Sequence, residues 1–298
     1  MMRQGVSPSK LYLPKIKDAP LTIFEYVCKK FHHIGTAVWQ KRFNDGLVKD
    51  IDGRILDLNS PYQHGMTITY YRHLCDEVVV PFEHHIIYED QTLLVVDKPH
   101  FLTVSPAGNY VQQTLLTRLK QTTGNAHLSP VHRLDKQTAG LMIFTKTCES
   151  RRAYQSLFND RKINKIYHAI APMTQAYQFP LQLSLPLVRG EPFYTMAVGI
   201  GEPNTHTDID ILAVSEDGKW AKYELKPTTG KLHQLRVHLN YLGIPIAHDN
   251  FYPKVMHRAK DDFDKPLQLL AKHLSFTDPL TNKPMAFESG FELDFSKV

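Results

Sequence analysis

The run Gly140-Leu141-Met142-Ile143-Phe144-Thr145 constrains the fold more than any other stretch of the chain. It has the length of a strand and is too short for a stable helix. Its all-apolar middle predicts a strand covered on both faces. Just ahead of it, His132, Arg133, Asp135 and Lys136 crowd four ionisable side chains into five positions. Charged groups placed so sit on a loop at the mouth of a rigid sheet, where reactive side chains are commonly mounted. A solvated surface turn is the ordinary alternative for such a cluster.

The rest of the chain divides at residues 78–85, a stretch with Pro81 that reads as a linker. Before it, residues 1–20 are polar and carry Pro8, Pro14 and Pro20, an irregular lead-in. Residues 21–33 place Phe24, Val27, Cys28 and Phe31 at i, i+3, i+4 and i+7, the period of a helix. A second short helix is predicted at 39–43, ended near Gly46. Asp52-Gly53 between Val48/Ile51 and Ile55/Leu56 is a hairpin signal, and 65–71 alternates as a strand. Residues 1–80 thus read as a small α/β domain. It carries 11 Lys and Arg against 8 Asp and Glu, a net +3. Lys29, Lys30, Lys41 and Arg42 lie on or near its helices, placed to track phosphates or to form a solvated face.

Residues 81–298 are richer in strands. Residues 86–90 and 93–99 form a predicted hairpin, and Pro99 ends its second strand while holding Lys98 extended. Helices are predicted at 115–121 and 149–158, and strands at 164–170, 208–214 and 220–225. Residues 172–206 show no clear period. Leu232, Leu235, Leu239 and Leu242 mark the seam of an amphipathic helix that ends at Gly243, with Thr228, Thr229 and Gly230 as its turn and cap. His233, Arg236 and Asn240 fall on a shared flank off that seam, so Arg236 can face a cleft.

Composition excludes several classes. Hydrophobic residues make up 42% of 298, enough for a substantial core. The net charge of +5 is mildly basic and compatible with RNA. Cys28, Cys75 and Cys148 are odd in number, far apart and form no CxxC pair, which argues against a disulfide framework and a Cys-rich zinc site. That usage points to a reducing compartment. The first 25 residues hold no apolar signal-peptide core, and no run approaches the ~20 apolar residues of a membrane span. A cytoplasmic protein is expected. His233 and His238 are five apart with no Glu between them, whereas a metal-binding helix wants i and i+4, so no metal is expected.

Three motifs taken together resemble RluA-type RNA pseudouridine synthases. The first is His132-Arg133-Leu134-Asp135 followed by Lys136, Thr138, Gly140 and Leu141. The second is Lys165-x-Tyr167, and the third is Thr229-Gly230-Lys231-x-His233-Gln234-x-Arg236-x-His238. A strand ending in Lys98-Pro99 and the stretch 244–252 continue the likeness, which covers residues 84–288. Two glycines usual in the family are absent: His100-Phe101 follows Lys-Pro, and His248 stands in the later stretch. Pro266 and Leu270 stand where the family usually has Arg and His, which puts any RNA contact at those two positions in doubt. Residues 1–80 resemble the small αL RNA-binding domain many such enzymes carry, although Thr36-Ala37-Val38-Trp39 departs from its usual small polar residues.

The resemblance implies an α+β fold: a mixed, mainly antiparallel central sheet with flanking helices, spanning 81–298. It implies isomerisation of uridine to pseudouridine in structured rRNA or tRNA, without a cofactor, by a monomer. Asp135 would be the nucleophile, Arg236 its charge partner and Tyr167 the aromatic face for a flipped base. His132 and Arg133 would engage RNA. The chemistry suits these residue types. A carboxylate can attack C1′ or add to the base, but in a dry pocket it stays ionised only beside a permanent cation. Two rivals stand beside this reading. One is a catalytically silent RNA-binding or ribosome-assembly factor, which has no need of all three residues. The other is a hydrolase using Asp135 and a His, which lacks any GxSxG or metal motif.

Overall fold

The computed structural model describes residues 4–72 and 77–298; Cys75 lies outside the described residues. The first part of the chain runs β1 (Ser9–Tyr12), α1 (Ile23–Lys30), α2 (Thr36–Asn44), β2 (Val48–Asp50) and β3 (Thr67–Tyr70). The three strands form an antiparallel sheet in the order β1-β3-β2. Thr22 caps α1 by accepting from the Glu25 amide, while Glu25 accepts from the Leu21 amide, so two orphan donors are satisfied together. Both helices lay their apolar faces over Val48 and Ile68, and these two and Trp39 of α2 are wholly buried.

Strand β1 falls in the stretch read as an irregular lead-in. Its prolines bracket the strand instead of breaking it, and its alternation gains a face only when β3 pairs with it. The hairpin predicted around Asp52-Gly53 shrinks to a bridge between Lys49 and Ile55, because β2 takes β3 as its main partner. The linker is no free tether. Glu77 accepts from the amides of Val111, Gln112 and Gln113, and Arg118 donates to the carbonyls of Val80 and Phe82.

The remainder is α+β. In chain order it runs β4 (His85–Glu89), β5 (Leu93–Lys98), α3 (Leu115–Thr123), β6 (Ser129–Pro130), β7 (Ala139–Thr145), α4 (Ser150–Asn159) and β8 (Ile163–Pro172). There follow β9 (Leu181–Leu185), β10 (Leu187–Arg189), β11 (Met196–Val198), β12 (Thr205–Val214), β13 (Trp220–Pro227), α5 (Gln234–Tyr241), β14 (Leu269–Thr277) and β15 (Pro284–Glu288). Ten of these strands form one sheet in the order β4-β5-β7-β14-β8-β13-β12-β9, with β15 on β14 and β6 on β7. Strands β10 and β11 make a separate hairpin. Every pairing in the large sheet is antiparallel except β7 with β14, which pair in parallel through Leu270↔Ala139 and Ala271↔Gly140.

Strands β5 and β7 are buried along their whole length, as the apolar run predicts. Successive side chains alternate between faces. Leu94, Val96, Met142 and Phe144 pack under α3 with Leu115 and Leu119. Leu93, Val95, Leu141 and Ile143 pack on the other face with Tyr154 and Leu157 of α4. Leu235, Leu239 and Leu242 join the core over β8 and β13. Helix α5 begins at Gln234, later than the leucine spacing suggests, because His233 at its N-terminus takes a left-handed φ of 53°. Thr229 is no cap; its hydroxyl donates to the Gln234 side chain.

Candidate active site

The loop between β6 and β7 is tied down from beneath. Lys98, fully buried at the end of β5, donates to the carbonyls of Pro99, Leu102 and Lys136. Burial pulls its pKa down to about 7, with the Asp135 charge opposing. His100 lies beside the Gln137 carbonyl at 2.7 Å. Burial lowers its pKa to about 4, so the neutral ring donates from Nδ1. The Lys-Pro motif thus braces the loop, and His100 adds a second tether.

That loop presents Asp135 to a cleft of about 520 Å³, which Tyr167, Lys165, His233 and Arg236 also line. Tyr167 comes from β8, in register with Leu225 and Ala271 on its two neighbours. Burial, and then the Asp135 charge, push its phenol up to about 12. It stays protonated at neutral pH, which suits a stacking face and an O–H donor, not a base. Lys165 donates to the Thr229 carbonyl at 2.9 Å, and burial lowers its pKa to about 8.

Arg236 is 1% exposed and meets two carboxylates. Its Nη1 lies 3.3 Å from Asp135 Oδ2. Its Nε and Nη2 grip Asp249 at 2.7 and 2.6 Å. Arg236 thus makes its two-pronged pair with Asp249, and Asp135 receives a single, longer bond; Nη2 also lies 3.5 Å from Asn250 Oδ1. Asp249 also accepts from the amides of Phe251 and Tyr252, so its orientation is fixed. The guanidinium lies over Phe251 at 4.9 Å and beside Tyr252 at 5.4 Å. Burial opposes its charge, but the Asp249 hydrogen bonds and the two carboxylates hold its pKa above the ordinary value. A cation that stays charged therefore lies within hydrogen-bond reach of Asp135.

His233 completes the group, with Nε2 3.6 Å from Asp135 Oδ2. Burial outweighs the nearby carboxylate and lowers its pKa to about 4, so it is neutral at pH 7. Tyr252 Oη accepts from the Met196 amide and lies 2.9 Å from His233 Nδ1. The Tyr252 hydroxyl thus fixes the His233 ring from the Nδ1 side, with Nε2 turned toward Asp135.

Other candidates lie elsewhere. Arg133 is exposed, with Nη2 at 4.0 Å from Asp135 Oδ1, free to reach outward. His132 is turned away from the cleft. Its ring stacks on Phe158 at 4.6 Å, Nε2 accepts from the Ile143 amide, and Nδ1 lies by the Arg133 carbonyl. Burial lowers its pKa to about 4, so it braces the loop as a neutral ring and offers no charge to RNA. In the first sheet unit, Lys29, Lys30 and Lys41 are exposed, Lys41 in an ion pair with Asp45. Arg42 is buried, its guanidinium 4.5 Å over the Trp39 ring, and does not face solvent as a phosphate ligand would. Sequence reasoning gave no role to Asp249, Phe251 or Tyr252, and placed His233 only on the flank of α5. Their closeness to the third motif, a few residues past its helix, was the available signal.

The family model for RNA pseudouridylate synthases matches residues 92–241, half of the chain. This chain belongs to that family. The synthase is 30% identical over 232 residues to an RNA pseudouridine synthase of Synechocystis, covering 77% of this chain and 79% of that one. It is 31% identical to the dual-specificity RNA pseudouridine synthase RluA of Haemophilus influenzae, over 68% of this chain and 91% of the relative. The solved structure of human RNA pseudouridylate synthase domain containing 1 shares the fold, with TM-score 0.56 and 24% identity over 70% of this chain and 84% of that one. Among the described residues, no helix of the synthase is long and apolar enough to cross a membrane.

Proposed function

We propose that this synthase isomerises uridine to pseudouridine in structured rRNA or tRNA, with Asp135 as the nucleophile. The observation that carries the residue assignment is the Arg236 guanidinium, anchored by Asp249 and presenting an Nη1 N–H to Asp135. The reaction breaks the N1–C1′ bond and forms a C5–C1′ bond; C5 loses its proton and the freed N1 takes one up, so the product is an isomer. The uridine is flipped from its stack, since an atom inside a helix is out of reach. Attack at C1′ and addition to the base both use the same ionised carboxylate. Tyr167 supplies the aromatic face that replaces the lost stacking neighbours. His233 flanks the same carboxylate, with Nε2 3.6 Å from Asp135 Oδ2. The large sheet unit carries the chemistry, and residues 1–80 add affinity for the RNA in the cytoplasm.

The test is Asp135→Asn, which keeps size but removes the charge. Release of tritium from C5 of uridine in RNA should stop while RNA binding persists. Activity within about tenfold of the parent would remove Asp135 from the nucleophile's role.

A further inference from the structure

The loop joining β10 to β11 holds Phe193 out in solvent, 80% exposed. Single exposed apolar side chains are ordinary, so exposure alone decides nothing. Three further observations single this one out. First, the loop is built and not slack. Thr195 donates to the Pro192 carbonyl from both its amide and its hydroxyl, Gly190 N donates to the Thr195 carbonyl, and Arg189 donates to the Phe193 carbonyl. Second, Phe193 stands on the rim of an open groove of about 1180 Å³ that Arg133, Asp135, Lys136, Arg189 and Phe251 also line. A cationic groove with the reactive carboxylate inside it suits a polyanion whose sugar must reach Asp135. Third, Phe193 begins a row of rings that ends at the catalytic cation. Phe193 lies 5.6 Å from Tyr194, Tyr194 lies 5.4 Å from Phe251, and Phe251 lies under Arg236 at 4.9 Å.

Flipping the target uridine leaves its neighbours without a stacking partner on one side. An aromatic plane on the groove rim offers such a neighbour a replacement, whatever its identity, because every base has a π-face. We propose that Phe193 is a stacking platform for an RNA base adjoining the uridine at Asp135, with Arg189 and Lys136 taking the phosphates beside it. This rests on the reading of Asp135 as the reacting group.

The experiment compares the parent with Phe193→Ala, Phe193→Leu and Phe193→Trp in two assays. One measures kcat and KM for tritium release from RNA that the parent turns over. The other measures Kd for a fluorescent oligouridylate. Loss of a base stack should raise KM and Kd by about fivefold or more for Ala and Leu, with kcat at saturation near the parent's. Trp should restore both, and its emission should be quenched by the oligouridylate. The exposed side chain should leave the melting temperature unchanged in every variant. Parent-like KM and Kd in Phe193→Ala would overturn the proposal, and so would a Leu variant equal to Phe, since that is bulk without a stacking plane. Failure of the parent to release label would strike the reading of Asp135; the oligouridylate titration would still decide the role of Phe193.

Discussion

At the scale of single residues, the site turns on how Arg236 divides its donors. Two short bonds go to Asp249, one longer bond to Asp135 and the longest, at 3.5 Å, to Asn250. Asp249 is completely buried, and removing one partner of such a pair leaves an uncompensated charge. Asp249→Asn is therefore expected to lower the unfolding free energy by about 3 kcal/mol. It should also cut tritium release sharply, because Arg236 is no longer held square to Asp135. Denaturant melts and the release assay check this. A variant as stable and active as the parent would mean that Asp135 alone holds the guanidinium. That Asp135, Tyr167 and Arg236 would share one cleft was legible because each lies inside a motif. Asp249 was not, since a lone Asp in an apolar stretch reveals its partner only after folding. Arg42 and His132 were misjudged for one reason: charge in a sequence does not say which way a side chain points. An Arg can bury its plane on a Trp, and a neutral His can serve a backbone amide. The two missing glycines taught something different. Phe101 and His248 occupy their positions at φ 64° and 63°, so the backbone keeps the left-handed form without the residue best suited to it.

At the scale of elements, long periodic segments were readable and short ones were not. The apolar runs of β5 and β7 and the leucines of α5 declared themselves. Strands β9, β10 and β11 did not, because short strands with Pro and Gly between them have no period to read. Helix α1 illustrates a further limit. Its apolar spacing was clear, yet only the fold shows that Lys29 and Lys30 at its last turn are exposed beside a buried Arg42. The prediction at this scale follows. Lys29→Gln with Lys30→Gln should weaken RNA binding and flatten its salt dependence by up to about 0.9 in log–log slope for each phosphate no longer neutralised. Turnover at saturating RNA should match the parent's, since neither side chain lines the cleft. Binding measured across a salt series decides; an unchanged slope would make them a plain solvated face.

At the scale of the whole molecule, the large sheet is two antiparallel blocks joined by one short parallel seam between β7 and β14. Gly140 sits in that seam at φ 109°, and a Cβ there would lie 2.3 Å from the Ala271 carbonyl oxygen. No L side chain fits without parting the strands. Gly140→Ala should cost about 3 kcal/mol or more, overpacking adding to backbone strain. Gly218→Ala is the control: its φ is 69° but its Cβ would meet nothing, so about 1 kcal/mol is expected. Denaturant midpoints compare the two, and equal losses would mean the seam yields easily. The seam was invisible in the sequence, since a pairing across so many residues leaves no local mark. It has a consequence for the life of the protein. Asp135 stands on one side of it and Arg236, 101 residues later, on the other. Translation therefore makes the Asp135 carboxylate 101 residues before the guanidinium that pairs with it, and β14 later still. The pairing of Asp135 with Arg236 thus waits on a strand made after both, and the ion pair marks that the sheet has closed.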